Sequence, residues 1–213
     1  MKLFLILIVA VSALFTACER PPVANNAPID HNTMDHSKMD HSKMDSSPNA
    51  AQAPYELQFI DTMIMHHQGA VDMAQLAETR AQHEELKTLA KAIIADQQKE
   101  IAQMKKWRGE WFAGRPQAIN MDFPGMRDGM KGMDTAKLDA LKANDFDLEF
   151  IKQMIPHHEG AVAMAKDAVA KFPTDPAKQT PMAEAFRSFA DSIVKAQETE
   201  IKQMRDWQSA WSK

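Results

Sequence analysis

The chain has 213 residues, with 25 basic and 29 acidic side chains and a formal net charge of −4 when the histidines are neutral. This balance gives no reason to propose a nucleic-acid partner, which would favour a basic surface. The only cysteine cannot form an intrachain disulfide, so a metal site would have to use His, Met or carboxylate side chains.

The N-terminus has the pattern of an export signal. Lys2 precedes an apolar run, residues 3–14, which ends in small residues before Cys18. The run is too short for a comfortable membrane span and predicts a lipoprotein signal peptide over residues 1–17, with Cys18 carrying the lipid. We therefore expect a periplasmic protein whose only membrane contact is the lipid anchor. Glu19 favours the outer membrane, whereas Phe15, at a position that is usually aliphatic, leaves ordinary secretion as a minor alternative.

A polar segment, residues 18–53, follows and has almost no large aliphatic side chains, so we expect a disordered linker. Its sequence Met-Asp-His-Ser-Lys repeats with a period of five, which fits neither a helix nor a strand. Evenly spaced thioethers and imidazoles suit a flexible site for a soft metal, although a plain solvated tether is the alternative. The candidate ligands in this region are His31, Met34, His36, Met39, His41 and Met44.

The remainder of the chain is an internal duplication. Residues 59–74, FIDTMIMHHQGAVDMA, recur as residues 150–165, FIKQMIPHHEGAVAMA, a shift of 91 residues from His66 to His157. Residues 100–107 recur with a shift of 100 as residues 200–207, and Trp111 and Trp211 continue that match. A turn-like insertion near residues 172–176 absorbs the difference between the two shifts.

Four main helices are predicted in this region. They cover about residues 54–80, 83–111, 145 to just before Pro173, and Thr180 nearly to the C-terminus, with Asn144 or Asp145 capping the third and Thr180 the fourth. Two hairpins, about 54–111 and 145–213, would pair into an all-α, ferritin-like up-down four-helix bundle over residues 54–213. A crossover, residues 112–144, joins them and could contain a short helix over residues 135–142.

On a helix, the repeated motif directs imidazoles and thioethers toward the interior, because Met63, His66, His67 and Met73 share one side at about 100° per residue. Met154, His157, His158 and Met164 repeat the arrangement. These residues could bind a metal or form a structural network with buried carboxylates. Glu100 and Glu200, on the inward stripes of the second and fourth helices, would serve either role, as acceptors that orient a metal-bound imidazole or as partners in a buried pair.

The crossover is unusually rich in methionine and glycine. Its spacing favours exposed thioethers and a second metal-contacting patch, although methionines that simply cover the end of the bundle would give the same composition. The candidates are Met121, Met126, Met130 and Met133.

The doubled pattern Met-Ile-x-His-His-x-Gly-Ala-Val, each copy followed by Glu-Ile-x-Gln-Met, resembles a bacterial family of exported, ferritin-like four-helix proteins. That family was long labelled a domain of unknown function and includes CopM-like periplasmic copper-binding proteins. The resemblance covers about residues 55–211 and implies copper binding in the periplasm in support of copper resistance. The ligands that it implies are Met63, His66, His67, Met73 and Met104 in the first half and Met154, His157, His158, Met164 and Met204 in the second.

The donor set also bears on the choice of metal. Thioether and imidazole without thiolate favour Cu(I), and Ag(I) by analogy, whereas His alone would also accept Cu(II) or Zn(II). We expect a binding protein that sequesters or relays copper, with an unidentified copper-handling protein as its partner. The alternative is a structural or partner-binding bundle. A di-metal oxidoreductase is disfavoured because the chain has no Glu-x-x-His pair, and nucleophilic hydrolysis has no candidate motif, so we do not expect an enzyme.

Overall fold

The computed structural model describes residues 44–172 and 180–213. The predicted signal peptide, Cys18 and most of the Met/His repeat lie outside the described residues, so their predicted roles stay predictions. The candidate ligands concerned are His31, Met34, His36, Met39 and His41.

The described residues are all-helical, which confirms the predicted all-α class. A short 3-10 helix, Ala50–Gln52, precedes two long helices, α1 (Tyr55–Arg80) and α2 (Glu84–Trp111). The crossover contains α3 (Met126–Met130) and α4 (Thr135–Ala140), and the second hairpin consists of α5 (Ala143–Lys171) and α6 (Pro181–Trp211). Helix α3 was not predicted, because five residues with an internal glycine give no periodic signal.

The helix termini agree only partly with the predicted caps. The Thr180 side chain accepts a hydrogen bond from the backbone N–H of Ala183, and Pro181 occupies the first turn of α6, as predicted. Helix α5, however, begins at Ala143, ahead of the expected position. Asn144 does not cap it, because its side-chain amide donates instead to the backbone carbonyl of Trp211, 3.3 Å away.

The two hairpins pack against each other through their central helices, α1 and α5, which run antiparallel. The Tyr55 hydroxyl, at the start of α1, donates to Asp167 near the end of α5, at 2.7 Å. Burial and this hydrogen bond raise the pKa of Tyr55 above its usual range. At the opposite end, Asp147 near the start of α5 accepts from the backbone N–H groups of Gln82 and His83, between α1 and α2. Since α5 thus runs in the same direction as α2, the crossover must traverse the length of the bundle, as in ferritin-like folds.

Large apolar side chains fill the ends of the bundle. Phe59 of α1 and Phe186 of α6 make an edge-on ring contact with centroids 4.9 Å apart, and both are fully buried. Phe146 and Phe150 of α5 are likewise buried. Between these ends, His66 of α1 and His157 of α5 bring the two hairpins into contact.

The last part of the predicted linker belongs to the fold. The Ser47 backbone N–H donates to the Ile119 carbonyl at 2.8 Å, and the Ser46 hydroxyl accepts from the Met121 N–H at 2.9 Å. Ala50 is buried. The predicted linker end at residue 53 is therefore too late, because residues 44–53 satisfy backbone groups of the crossover that would otherwise lack partners.

No helix within residues 44–172 and 180–213 is both long and apolar enough to cross a membrane.

Candidate metal centre

His66 and His157 meet face to face where α1 crosses α5. Their ring centroids lie 3.7 Å apart and the ring planes are tilted by 34°. The two side chains are essentially inaccessible to solvent. Because the duplication relates the two positions, this imidazole pair marks the approximate two-fold relation between the hairpins.

The neighbouring histidines point away from that pair, each toward its own hairpin. His67 Nε2 donates to Glu100 Oε2 and His158 Nε2 donates to Glu200 Oε2, each at 2.7 Å. The imidazoles are fully buried, whereas the glutamates retain 18% and 16% exposure. These contacts are the buried His–carboxylate pairs that one of the two sequence interpretations expected.

The Glu contacts also determine which ring nitrogen carries the proton. Donation from Nε2 leaves Nδ1 with the lone pair in a neutral ring. In His67 and His158 this Nδ1 is buried and makes no hydrogen bond to any residue that the structure describes. Glu100 and Glu200 therefore orient two imidazoles whose second nitrogen remains available inside the protein.

Two buried glutamines lie one turn before these glutamates and were missed by the sequence analysis. Gln97 and Gln197 are each 3% exposed. Within the described part of the chain, three of their side-chain atoms have no hydrogen-bond partner: Oε1 and Nε2 of Gln97 and Oε1 of Gln197. The sequence did contain a signal for them, because both halves have a glutamine at the same position of the repeat, 100 residues apart, among apolar residues of the inward stripe.

The crossover covers the central imidazole pair from one side. A Cβ added to Gly129 of α3 would lie 3.0 Å from His66 Nε2. A Cβ added to Gly69 of α1 would lie 3.4 Å from both His157 Nε2 and Met133 Sδ. The crossover backbone thus lies against one imidazole, and one of its thioethers lies close to the other.

The expectation that the crossover exposes its methionines is wrong. The glycines bring its backbone so close to α5 that the thioethers turn inward; a Cβ on Gly160 would lie 2.6 Å from the Gly125 carbonyl oxygen. Met44, in the residues before the 3-10 helix, packs against the core and is partly buried. The buried crossover methionines are Met121, Met126, Met130 and Met133.

The methionines of the long helices are fully buried, as the inward stripes predicted. These are Met63, Met73 and Met104 of the first half and Met154, Met164 and Met204 of the second. In the part of the chain that the structure describes, no group of three or more His, Cys, Asp or Glu side chains could hold a metal ion. A metal site among these residues would therefore combine imidazole with thioether donors, a set that suits soft ions.

Comparison with known proteins identifies a family. Residues 56–208 match the family described as Domain of unknown function (DUF305). No curated protein matches the chain.

Several solved structures share the fold. The structure of CopM in the Cu(II)-bound form is 40% identical, with a TM-score of 0.59, and the match covers 73% of this chain and 97% of that chain. The Cu(I)-bound form of CopM and its Ag-bound form obtained by co-crystallization are each 38% identical, with a TM-score of 0.58, and cover 73% of this chain and 96% of theirs. A putative secreted DUF305 protein from Streptomyces coelicolor is 27% identical, with a TM-score of 0.60, and covers 74% and 94%.

Proposed function

The chain belongs to the DUF305 family, and on that basis we propose that its helical bundle binds copper. The observation that carries the proposal is the buried His66–His157 pair, with ring centroids 3.7 Å apart, beneath a methionine-rich crossover. CopM, which matches almost over its full length, is known in forms with Cu(I), Cu(II) and Ag bound. This combination of relatives and donors supports copper as the cargo of this protein.

Cu(I) is the favoured oxidation state. The thioethers near the imidazoles are neutral, polarizable donors, which prefer Cu(I) and Ag(I) to harder ions. A neutral donor set also suits a monovalent ion in a buried site, because it adds no further charge that would have to leave water. The protein would bind and exchange copper by ligand substitution, without turnover of a substrate.

The cellular role follows from the predicted export signal. A mature chain anchored through Cys18 would hold the bundle in the periplasm, where it would sequester or relay copper and so support copper resistance. The Met/His repeat would capture copper and pass it to the bundle or to a copper-handling protein. Residues 44–53, which follow the repeat, contact the crossover through Ser46 and Ser47.

An anaerobic Cu(I) titration against a competing chelator tests this proposal. It compares the mature chain, a version beginning at Met44, and the double variant His66→Ala/His157→Ala. His83→Ala is the matched control, because His83 stacks on Trp211 away from the central pair. We expect tight binding that survives removal of the repeat, falls in the double variant and is unchanged in the control.

Other outcomes have distinct meanings. Binding that disappears with the repeat would make residues 31–43 the functional part and the bundle a scaffold. Absence of competitive binding in every version would overturn the copper proposal.

The His–Glu pairs support a second candidate, a structural or partner-binding bundle. His67 and His158 each make a 2.7 Å contact to a glutamate of the adjacent helix, which alone accounts for one buried imidazole in each hairpin. In that case, replacing all four paired histidines by alanine would lower the melting temperature and leave metal binding unchanged.

A further inference from the structure

We propose that the duplicated halves form one asymmetric metal site, in which Met133 supplies a thioether beside His157 and Gly69 is the positioning residue that makes room for it. The inference rests on the proposed copper binding and specifies its donors. A duplicated motif alone would suggest two equal sites, one for each half. The crossover removes that equality, because a single connection covers both imidazoles.

The Met133 thioether lies beside the His157 imidazole. Its Sδ and His157 Nε2 are each 3.4 Å from the point where a Cβ on Gly69 would lie, so they are at most twice that distance apart. Both atoms therefore face the same small volume above α1. A thioether and an imidazole nitrogen that share such a volume could bind one soft ion with only side-chain adjustment.

His66 has a different neighbour in the crossover. The crossover also approaches His66, since a Cβ added to Gly129 would lie 3.0 Å from His66 Nε2. Gly129 has no side-chain donor to offer. The two imidazoles occupy equivalent positions of the duplication, but the glycine beside His66 is a backbone neighbour, whereas the space at Gly69 beside His157 holds the Met133 thioether.

The glycine of the repeated motif has a different role in each half. Gly69 and Gly160 occupy the same motif position, yet they admit different groups. A Cβ on Gly69 would meet the Met133 methyl carbon at 2.8 Å, whereas a Cβ on Gly160 would meet the Gly125 carbonyl oxygen at 2.6 Å and Gly129 Cα at 2.7 Å. Gly160 thus admits the crossover backbone, and Gly69 admits the thioether.

The crossover also fixes where Met133 enters. Gly132, with φ of +93°, turns the chain just before it, and the Met133 N–H donates to the Met130 carbonyl at 3.3 Å. The next residue, Asp134, donates its N–H to Gln153 Oε1 of α5 at 2.8 Å and caps α4. The backbone on both sides of Met133 is therefore held, so that its side chain is directed toward Gly69.

The test begins with Met133→Leu in the full mature chain, measured by anaerobic Cu(I) competition. Leucine keeps a similar volume but removes the sulfur, and such exchanges are well tolerated in cores. Affinity should fall roughly tenfold or more, since even loss of an outer-shell partner costs that much. The matched control is Met65→Leu, a buried methionine whose counterpart in the second half is Pro156 and which should leave Cu(I) affinity unchanged.

Gly69→Ala supplies the second arm. Its Cβ would displace the flexible end of Met133 without meeting backbone, so Cu(I) affinity should fall while the fold is retained. In the double variant Gly69→Ala/Met133→Leu the two losses should not add, because both remove the same thioether contact. X-ray absorption of the Cu(I) complex should show weaker copper–sulfur scattering in each variant, a change that a purely structural role would not produce.

Failure of this inference is distinguishable from failure of the proposed function. If the unaltered chain binds no Cu(I), the proposed function itself is wrong. If it binds Cu(I) and Met133→Leu keeps full affinity and full sulfur scattering, Met133 is not a donor. Equal losses from His66→Ala and His157→Ala, with no effect of Gly69→Ala, would restore two equal half-sites and overturn the asymmetry.

Discussion

Position 62 in the first half of the bundle and position 153 in the second are related by the duplication, and both hold the crossover. The Thr62 hydroxyl accepts from the Asn120 backbone N–H at 2.9 Å, near the start of the crossover. The Gln153 side-chain oxygen accepts from the Asp134 N–H at 2.8 Å, near its end. Equivalent positions of two similar hairpins thus hold opposite ends of one connection.

The same relation holds one turn earlier in each motif helix, with different chemistry. Gln58 accepts from the Asn120 side-chain amide at 2.8 Å, whereas Glu149 forms a 2.8 Å ion pair with Lys137 of α4. The crossover has no internal duplication, so each hairpin must match a different stretch of it. The halves remain alike at the His–Glu pairs, which lie within each hairpin, and differ where they contact the crossover.

The largest expected difference between the two halves is at Asp147 and its counterpart, Glu56. The fully buried Asp147 carboxylate accepts from the backbone N–H groups of Gln82 and His83, and lies 2.6 Å from His83 Nδ1. Asp147→Ala would leave these groups without their charged acceptor and should destabilise the fold by about 3 kcal/mol. The counterpart Glu56 is only half-buried, so Glu56→Ala should change stability by less than about 0.5 kcal/mol. Urea unfolding of both variants measures the difference, and similar losses would contradict it.

The motif glycines give the next largest expected effect. Gly160→Ala places its Cβ 2.6 Å from the Gly125 carbonyl oxygen, so the crossover backbone must shift and we expect a loss of about 2 kcal/mol. Gly69→Ala meets only the end of a flexible side chain, and the higher helix propensity of alanine, about 1 kcal/mol, should offset most of the strain. Thermal and urea unfolding of the two variants measure the difference. A larger loss for Gly69→Ala would show that the crossover packs differently.

The sequence predicts the four long helices well because each carries a strong helical periodicity and the duplication repeats it. Burial of the motif methionines follows from the same stripes. The periodicity says nothing about where the crossover lies, since its contacts depend on glycines whose close approach to α5 is a tertiary effect. For that reason the crossover methionines were expected outside, and Ser46 and Ser47 were assigned to a linker.

The site shows a similar limit. Placing His66, His67 and both glutamates on inward faces was within reach of a helical projection. The projection could not predict that adjacent histidines make different contacts, or that Met133 lies close to His157. Both features depend on how α1 crosses α5. The available signal was polar residues at matched positions of the duplication, such as Thr62 with Gln153 for the crossover contacts and Gln97 with Gln197 for the buried amides.

The Glu149–Lys137 pair should produce the smallest effect, and a pH dependence that its counterpart lacks. Burial alone would raise the pKa of Glu149, but the hydrogen bonds from Lys137 and Gln153 and the positive charge of Lys137 outweigh it, so the pKa lies below its usual value of 4.5. A carboxyl with a lowered pKa in the folded state stabilises the protein above its unfolded-state pKa, and this contribution disappears as the pH falls through the lowered value.

Glu149→Gln should therefore reduce stability at pH 7 by about 0.5 kcal/mol, because Lys137 remains half-exposed and solvent screens the pair. This loss of stability should vanish in acid. The loss from Gln58→Ala should be the same at both pH values, since neither Gln58 nor its partner Asn120 titrates. Urea unfolding at pH 7 and at a pH well below 4.5 measures both differences, and a Glu149→Gln deficit that grows in acid would contradict the lowered pKa.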